Sequence, residues 1–184
     1  AAGALRGRGG DGAGTPVVGA SLFVERTDGK TLDYVSMHTT GSTGQRTISG
    51  LAPGDFIVSA RSEDGAAFDL GPVTVNAGET EEVELLVGPG TMLEVRTIAP
   101  DEVAHGTVQL QVLDTEGRDH ARRISGIDIN RSYRDGVQSD RRTVGPLPPG
   151  RYRVIASAPG GFDGKKQVIL KADEKTDRVT VRLR

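Results

Sequence analysis

Short stretches in which apolar and polar residues alternate run along the chain. Ala20, Leu22 and Val24 alternate with Ser21, Phe23 and Glu25, and Phe56, Val58 and Ala60 with Asp55, Ile57 and Ser59. Towards the end, Tyr152, Val154 and Ala156 alternate with Arg151, Arg153 and Ile155, and Val179, Val181 and Leu183 with Thr180 and Arg182. A period of two puts successive side chains on opposite faces, so each stretch is predicted to be a strand with one buried face. Pro-Gly, Asp-Gly and Gly-Gly pairs separate the strands. No segment sustains a 3.6-residue stripe, and the best helical candidate, 119–124, is short. Short strands at regular spacing between turn signals predict an all-β chain built as antiparallel sandwiches.

The pattern occurs twice. Leu51-Ala52-Pro53-Gly54-Asp55-Phe56-Ile57-Val58-Ser59-Ala60 is matched 96 residues later by Leu147-Pro148-Pro149-Gly150-Arg151-Tyr152-Arg153-Val154-Ile155-Ala156. At this offset Val73 falls on Ile169, Thr80 on Thr176, Val83 on Val179 and Leu85 on Val181. Upstream the offset is 88, so that Leu22 falls on Leu110 and Val24 on Val112. The second copy therefore carries about eight extra residues in its first half. Two tandem Greek-key-type β-sandwich domains follow: 1–89, in which 1–14 is a flexible or strand-forming leader, and 90–184, with an insertion near 119–140. In each copy Pro-Gly is predicted to form a type II turn, glycine supplying its positive φ, that delivers Phe56 or Tyr152 to the core.

Composition narrows the chemistry. The 184 residues include 26 Gly, 9 Pro, no Cys and no Trp. No disulfide framework, Cys-based metal site or Cys nucleophile is available, and no apolar run is long enough for a transmembrane helix. The chain starts without Met and without the apolar segment of a signal peptide, as expected of a processed product or an excised fragment.

Three stretches resemble a known family. Asp11-Gly12-Ala13-Gly14-Thr15-Pro16-Val17-Val18-Gly19-Ala20 is similar to its opening D-x-x-G-x-P-V-x-G-A, and the two Leu-x-Pro-Gly segments resemble its L-x-P-G-x-Y-x-V-x-A. The family is the carboxypeptidase regulatory-like, or transthyretin-like, β-sandwich, with relatives among the B-type repeats of bacterial surface adhesins. The resemblance implies a non-catalytic spacer, stalk or interaction domain of a secreted or cell-surface bacterial protein, the periplasm being the alternative location. Such adhesin repeats often carry an intramolecular Lys–Asn or Lys–Asp isopeptide bond with its Lys on the first strand. The expected first strands, 5–9 and 92–98, contain no Lys, so no crosslink is expected.

Motifs for catalysis, metals and cofactors are weak. Gly7-Arg8-Gly9-Gly10-Asp11-Gly12 matches G-x-G-x-x-G but leads into Pro16 and a strand, where a dinucleotide fingerprint must open a helix. His38, His105 and His120 stand alone, with no partner at zinc-ligand spacing, and are read as loop histidines. The acids 79–84 are read as a solvated strand face. No catalytic residue, metal ligand or cofactor is therefore assigned, and the chain is read as a non-enzyme. The insertion holds Arg122, Arg123, Arg131, Tyr133 and Arg134, which are the candidate partner contacts, because loops on a rigid scaffold carry function. Seven Arg and six acids intermix over 114–142, which argues against a nucleic-acid groove.

Charge divides unevenly between the copies. Residues 1–89 hold 6 basic and 12 acidic residues, net −6, and residues 90–184 hold 17 and 13, net +4, together giving the −2 of the whole chain. Oppositely charged copies attract, so the expected partner is a protein or a second copy of the chain, acidic repeat 1 meeting basic repeat 2. A carbohydrate-binding module is the alternative, with a glycan as ligand. Sugar platforms use exposed aromatics, and Tyr34, Phe68, Tyr133 and Phe162 are the candidates outside the predicted core. A third reading is an accessory domain of a secreted peptidase, with its catalytic domain outside this chain.

Overall fold

The chain is all-β, as its alternation predicts. The computed structural model describes residues 1–27, 32–103, 107–123 and 140–184, and of residues 32–37 the backbone alone. The fold divides into two compact units, Ala1–Pro89 and Gly90–Arg184.

In the first unit the strands are β1 (Gly3–Gly10), β2 (Ser21–Thr27), β3 (Leu32–Thr39), β4 (Gln45–Leu51), β5 (Gly54–Arg61), β6 (Gly65–Ala66), β7 (Leu70–Val75), β8 (Thr80–Leu86) and β9 (Gly88–Pro89). One sheet has the order β4-β1-β8, and the other runs β3-β2-β5 with β7 also on β5 and the two-residue strands β6 and β9 at the end of β5. Leu5, Leu22, Val24, Ile48, Phe56, Val58, Val75, Val83 and Leu85 close the core between them. Leu22 packs on β1 at Gly7, where a Cβ would stand 2.7 Å from Leu22 Cδ1. The 1–14 leader is thus mostly strand rather than flexible chain, and its G-x-G-x-x-G ends in a turn in which the Asp11 carboxylate accepts the Ala13 and Thr15 N–H groups at 2.9 and 2.7 Å.

The second unit repeats this plan. It contains β10 (Thr91–Ile98), β11 (Gln109–Leu113), one turn of 3-10 helix (His120–Arg122), β12 (Arg141–Leu147), β13 (Gly150–Ala158), β14 (Phe162–Leu170) and β15 (Thr176–Arg182). The sheets are β12-β10-β15 and β11-β13-β14, around a separate core of Leu93, Val95, Val112, Leu147, Tyr152, Val154, Leu170 and Val181. The repeat-equivalent aromatics Phe56 and Tyr152 both lie in these cores, 1% and 5% exposed. Most of the insertion, residues 124–139, lies outside the described residues.

Three expectations are corrected. The first is that Gly54 and Gly150 do not make type II turns: they open β5 and β13, paired with Val75 and Leu170, and only Gly54 has a positive φ, at 152°. The second is that β2 is buried on both faces. Ser21, Phe23 and Glu25, together with Ile57, Ser59 and Arg61 of β5, are all buried, and the Arg61 guanidinium stands over the Phe23 ring at 5.3 Å from its centroid. The third is that not every pairing is antiparallel. The first and last long strands of each unit run parallel: Ala4 to Gly10 pair with Thr80 to Leu86, and Met92 to Ile98 with Thr176 to Arg182.

That parallel pairing sets where the chain enters and leaves each unit. It enters β1 at Gly3, beside the start of β8, and leaves β8 at Leu86, beside Gly10. The two points are at opposite ends of a seven-rung ladder, about 20 Å apart along the strands. In the second unit Met92 and Arg182 hold the same relation.

Candidate functional site

Two features of the second unit gather polar chemistry. One is built by the turn after β11. The sequence Asp114-Thr115-Glu116-Gly117-Arg118 folds back because the Asp114 carboxylate accepts the N–H groups of Glu116 and Arg118, both at 2.9 Å, while Gly117 takes φ 79° and donates to the Asp114 carbonyl. Asp11 to Thr15 makes the same turn in the first unit. In the second unit the return brings Asp119 against β11, where its carboxylate accepts the Val112 N–H at 2.9 Å and caps the 3-10 turn through the Ala121 N–H.

His120 is thereby carried inwards. It is 4% exposed, its Nε2 lies 2.9 Å from Asp114 Oδ2, its Nδ1 lies 3.3 Å from Arg123 Nη1, and its ring meets Tyr152 edge-on at 5.6 Å. A carboxylate only accepts, so Nε2 carries a proton and donates to it, leaving the Nδ1 lone pair to accept from Arg123. Burial pushes the Asp114 carboxyl up, but the hydrogen bonds from the His120 ring and the Arg118 N–H, together with the Arg118 charge, outweigh it and hold the group below its ordinary value. The Tyr152 hydroxyl donates to the Pro148 carbonyl at 2.8 Å.

This arrangement corrects the reading of His120 as a loop histidine. It contains an Asp–His pair in which Arg123 lies against the second ring nitrogen. The arrangement ties the turn to the core. Because the folded carboxyl is acidified, its contribution is present above the unfolded value of about 3.9 and is lost as pH falls through the lower folded value. Asp114→Asn is expected to remove about 1–3 kcal/mol at pH 7, and this deficit should shrink in thermal melts near pH 3. A deficit unchanged with pH would contradict the assignment.

The partner-contact candidates separate. Arg122 is exposed on the 3-10 turn, whereas Arg123 is 2% exposed and faces His120, so it is not a surface contact. Arg131, Tyr133 and Arg134 lie outside the described residues, as does His105, and His38 is half-buried beside β2. Of the four aromatics considered for sugar, Phe68 is exposed and Phe162 packs against the core, while the Tyr34 side chain and Tyr133 lie outside the described residues. No pair of exposed aromatics is found among the described residues.

The other feature is a groove of about 700 Å³ where β14 and β15 approach. Arg96, Lys165, Lys166, Thr180, Arg182 and Arg184 line it, with Asp163 as its one acid. A Cβ at Gly164 would run into the Arg182 carbonyl, so glycine allows the two strands to close. Arg96 is paired with Asp140 at 3.0 Å, and the other four cations have no ion pair among the described residues. The fold does not demand this charge, because the equivalents of Thr180 and Arg182 in the first unit are Glu84 and Leu86. The net charge of this half is legible in the sequence, whereas the groove joins residues more than 80 positions apart and leaves no local mark.

No protein-family model matches the chain, and no curated protein matches it. Among solved structures it is similar to the minor pilin GBS52 of Streptococcus agalactiae, at 16% identity over 98% of this chain and 95% of that one, with a TM-score of 0.40. It is similar to the shaft pilin SpaA of Lactobacillus rhamnosus GG, at 11% identity over 100% and 98%, with a TM-score of 0.36. It is also similar to the Bacillus anthracis TIE protein, at 14% identity and a TM-score of 0.37, with 99% of this chain covering 34% of that one. The chain thus spans about a third of the TIE protein's length. Among the described residues no helix is long and apolar enough to cross a membrane.

Proposed function

We propose that the chain is a non-catalytic, load-bearing spacer or assembly module of a secreted or cell-surface bacterial protein. The observation that carries this is the parallel pairing of first and last strands in both units. Tension applied through the chain at Gly3 and Leu86, or at Thr91 and Arg182, pulls two parallel strands lengthwise past each other. All rungs of the ladder are then loaded together instead of opening one at a time. A unit held in this way transmits force and spaces its neighbours. The Leu-x-Pro-Gly motifs that resemble the transthyretin-like family support the same reading, since such modules serve as stalks.

As the assembly contact we propose charge-matched association between copies, with the acidic first unit of one molecule meeting the basic groove of the next. Glu81, Glu82 and Glu84 are exposed on β8, an edge strand of the first unit, and Lys165, Lys166 and Arg182 face outwards in the second. Sedimentation is expected to show concentration-dependent association that weakens as salt rises through the screening range. A salt-independent monomer would exclude this contact and leave the spacer reading in place.

A further inference from the structure

One rung of the parallel ladder differs in sign between the units. In the first unit Arg6 of β1 lies opposite Glu82 of β8, bonded at 2.7 Å. In the second unit the equivalent residues are Glu94 of β10 and Arg178 of β15, bonded at 2.8 Å. Acid and base have changed strands. The rest of this cross-strand row is the same: Thr47 of β4 flanks Arg6 and its equivalent, Thr143 of β12, flanks Glu94.

The exchange matters because the two ladders are otherwise interchangeable in length and register. Tandem copies hold each other at high local concentration, and pairing strands more than 70 positions apart is a slow, non-local step. During refolding, β1 can therefore meet β15 within one chain or between neighbours, and β10 can meet the β8 of a neighbouring molecule, since the link from Leu86 to Thr91 is too short for the crossover that a parallel β8–β10 pair would need in one chain. Such exchange sets Arg6 against Arg178 and Glu94 against Glu82, two like-charge rungs in place of two attractive ones. The next rung does not discriminate: Arg8 faces Glu84 and Arg96 faces Thr180, and exchange yields the same set of charges.

We propose that the inverted Arg6–Glu82 and Glu94–Arg178 pairs are a pairing code that keeps the first strand of each repeat with the last strand of its own repeat. Each pair is largely exposed and contributes little alone, so the code lies in the difference between attractive native rungs and repulsive exchanged ones.

Charge-swapped variants test this without breaking either native pair. R6E/E82R gives the first unit the arrangement of the second, E94R/R178E does the reverse, and the four-fold variant makes the two units opposite again. The chain has no Cys of its own, so A4C/T176C reports exchange: Ala4 pairs with Thr80 and Met92 with Thr176, and Ala4 meets Thr176 only when β1 lies on β15. After refolding at low salt, the disulfide-trapped fraction is expected to rise about five- to tenfold in each double variant. It should return to the starting level in the four-fold variant. The size difference between Gly7 and Val95 is constant throughout, so rescue isolates the charges. Equal trapping in all four proteins, or trapping in the four-fold variant as high as in the doubles, would overturn the proposal, and if one double fails to fold the other still decides.

Discussion

Phe56→Ala is expected to cost the first unit about 3–5 kcal/mol, the range for emptying a large aromatic site in a closed core. Phe56 is 1% exposed and packs in a core bounded by both sheets, among Leu22, Val58, Val75 and Leu85. A stability of about 5–15 kcal/mol is usual for a domain, so this loss brings the unit close to unfolding at ambient temperature. The second core shares no residue with the first, and its transition in denaturant or calorimetry is expected to stay where it was. Tyr152 is the repeat equivalent and gives the contrast. Tyr152→Phe keeps the ring and loses one hydroxyl, leaving the buried Pro148 carbonyl without its donor, at a cost of about 1–2 kcal/mol to the second unit. A Phe56→Ala protein that melts like the parent would show that Phe56 does not hold the core.

Period and repetition made most of this architecture legible. The 96-residue offset alone places Phe56 and Tyr152 in equivalent core positions, because a buried aromatic after Pro-Gly leaves a local mark. The parallel ladder left none. Which strand neighbours which depends on contacts between distant residues, and alternation is the same for parallel and antiparallel strands. The second buried face of β2 was hidden for a similar reason: Ser21 and Glu25 read as solvent-facing wherever burial is inferred from polarity. His120 was misread because its partner lies six residues upstream, brought near by the Asp114-x-x-Gly117 turn. The signal was present in the sequence, as the same Asp-x-x-Gly turn occurs at Asp11, but a turn alone does not say which way the following side chain points. The arginines of the insertion stand out because they lie in a loop on a rigid scaffold, and position in a loop does not separate the exposed Arg122 from the buried Arg123.

The spacer reading rests on direction of load, and this carries the largest expected contrast. Pulled through its two ends, the chain should show two unfolding events, with contour-length gains of about 28 nm and about 31 nm for the first and second units. Each event requires shearing a seven-rung parallel ladder. Ala2 and Ala77 precede β1 and β8 at the same end of the first ladder, where the Gly78 N–H donates to the Ala2 carbonyl. Handles on A2C/A77C therefore peel that ladder rung by rung. The decisive measurement is single-molecule unfolding of the first unit in these two geometries at one loading rate. The expected result is a rupture force several-fold higher through the chain ends than through A2C/A77C, and equal forces in the two geometries would contradict the load-bearing account.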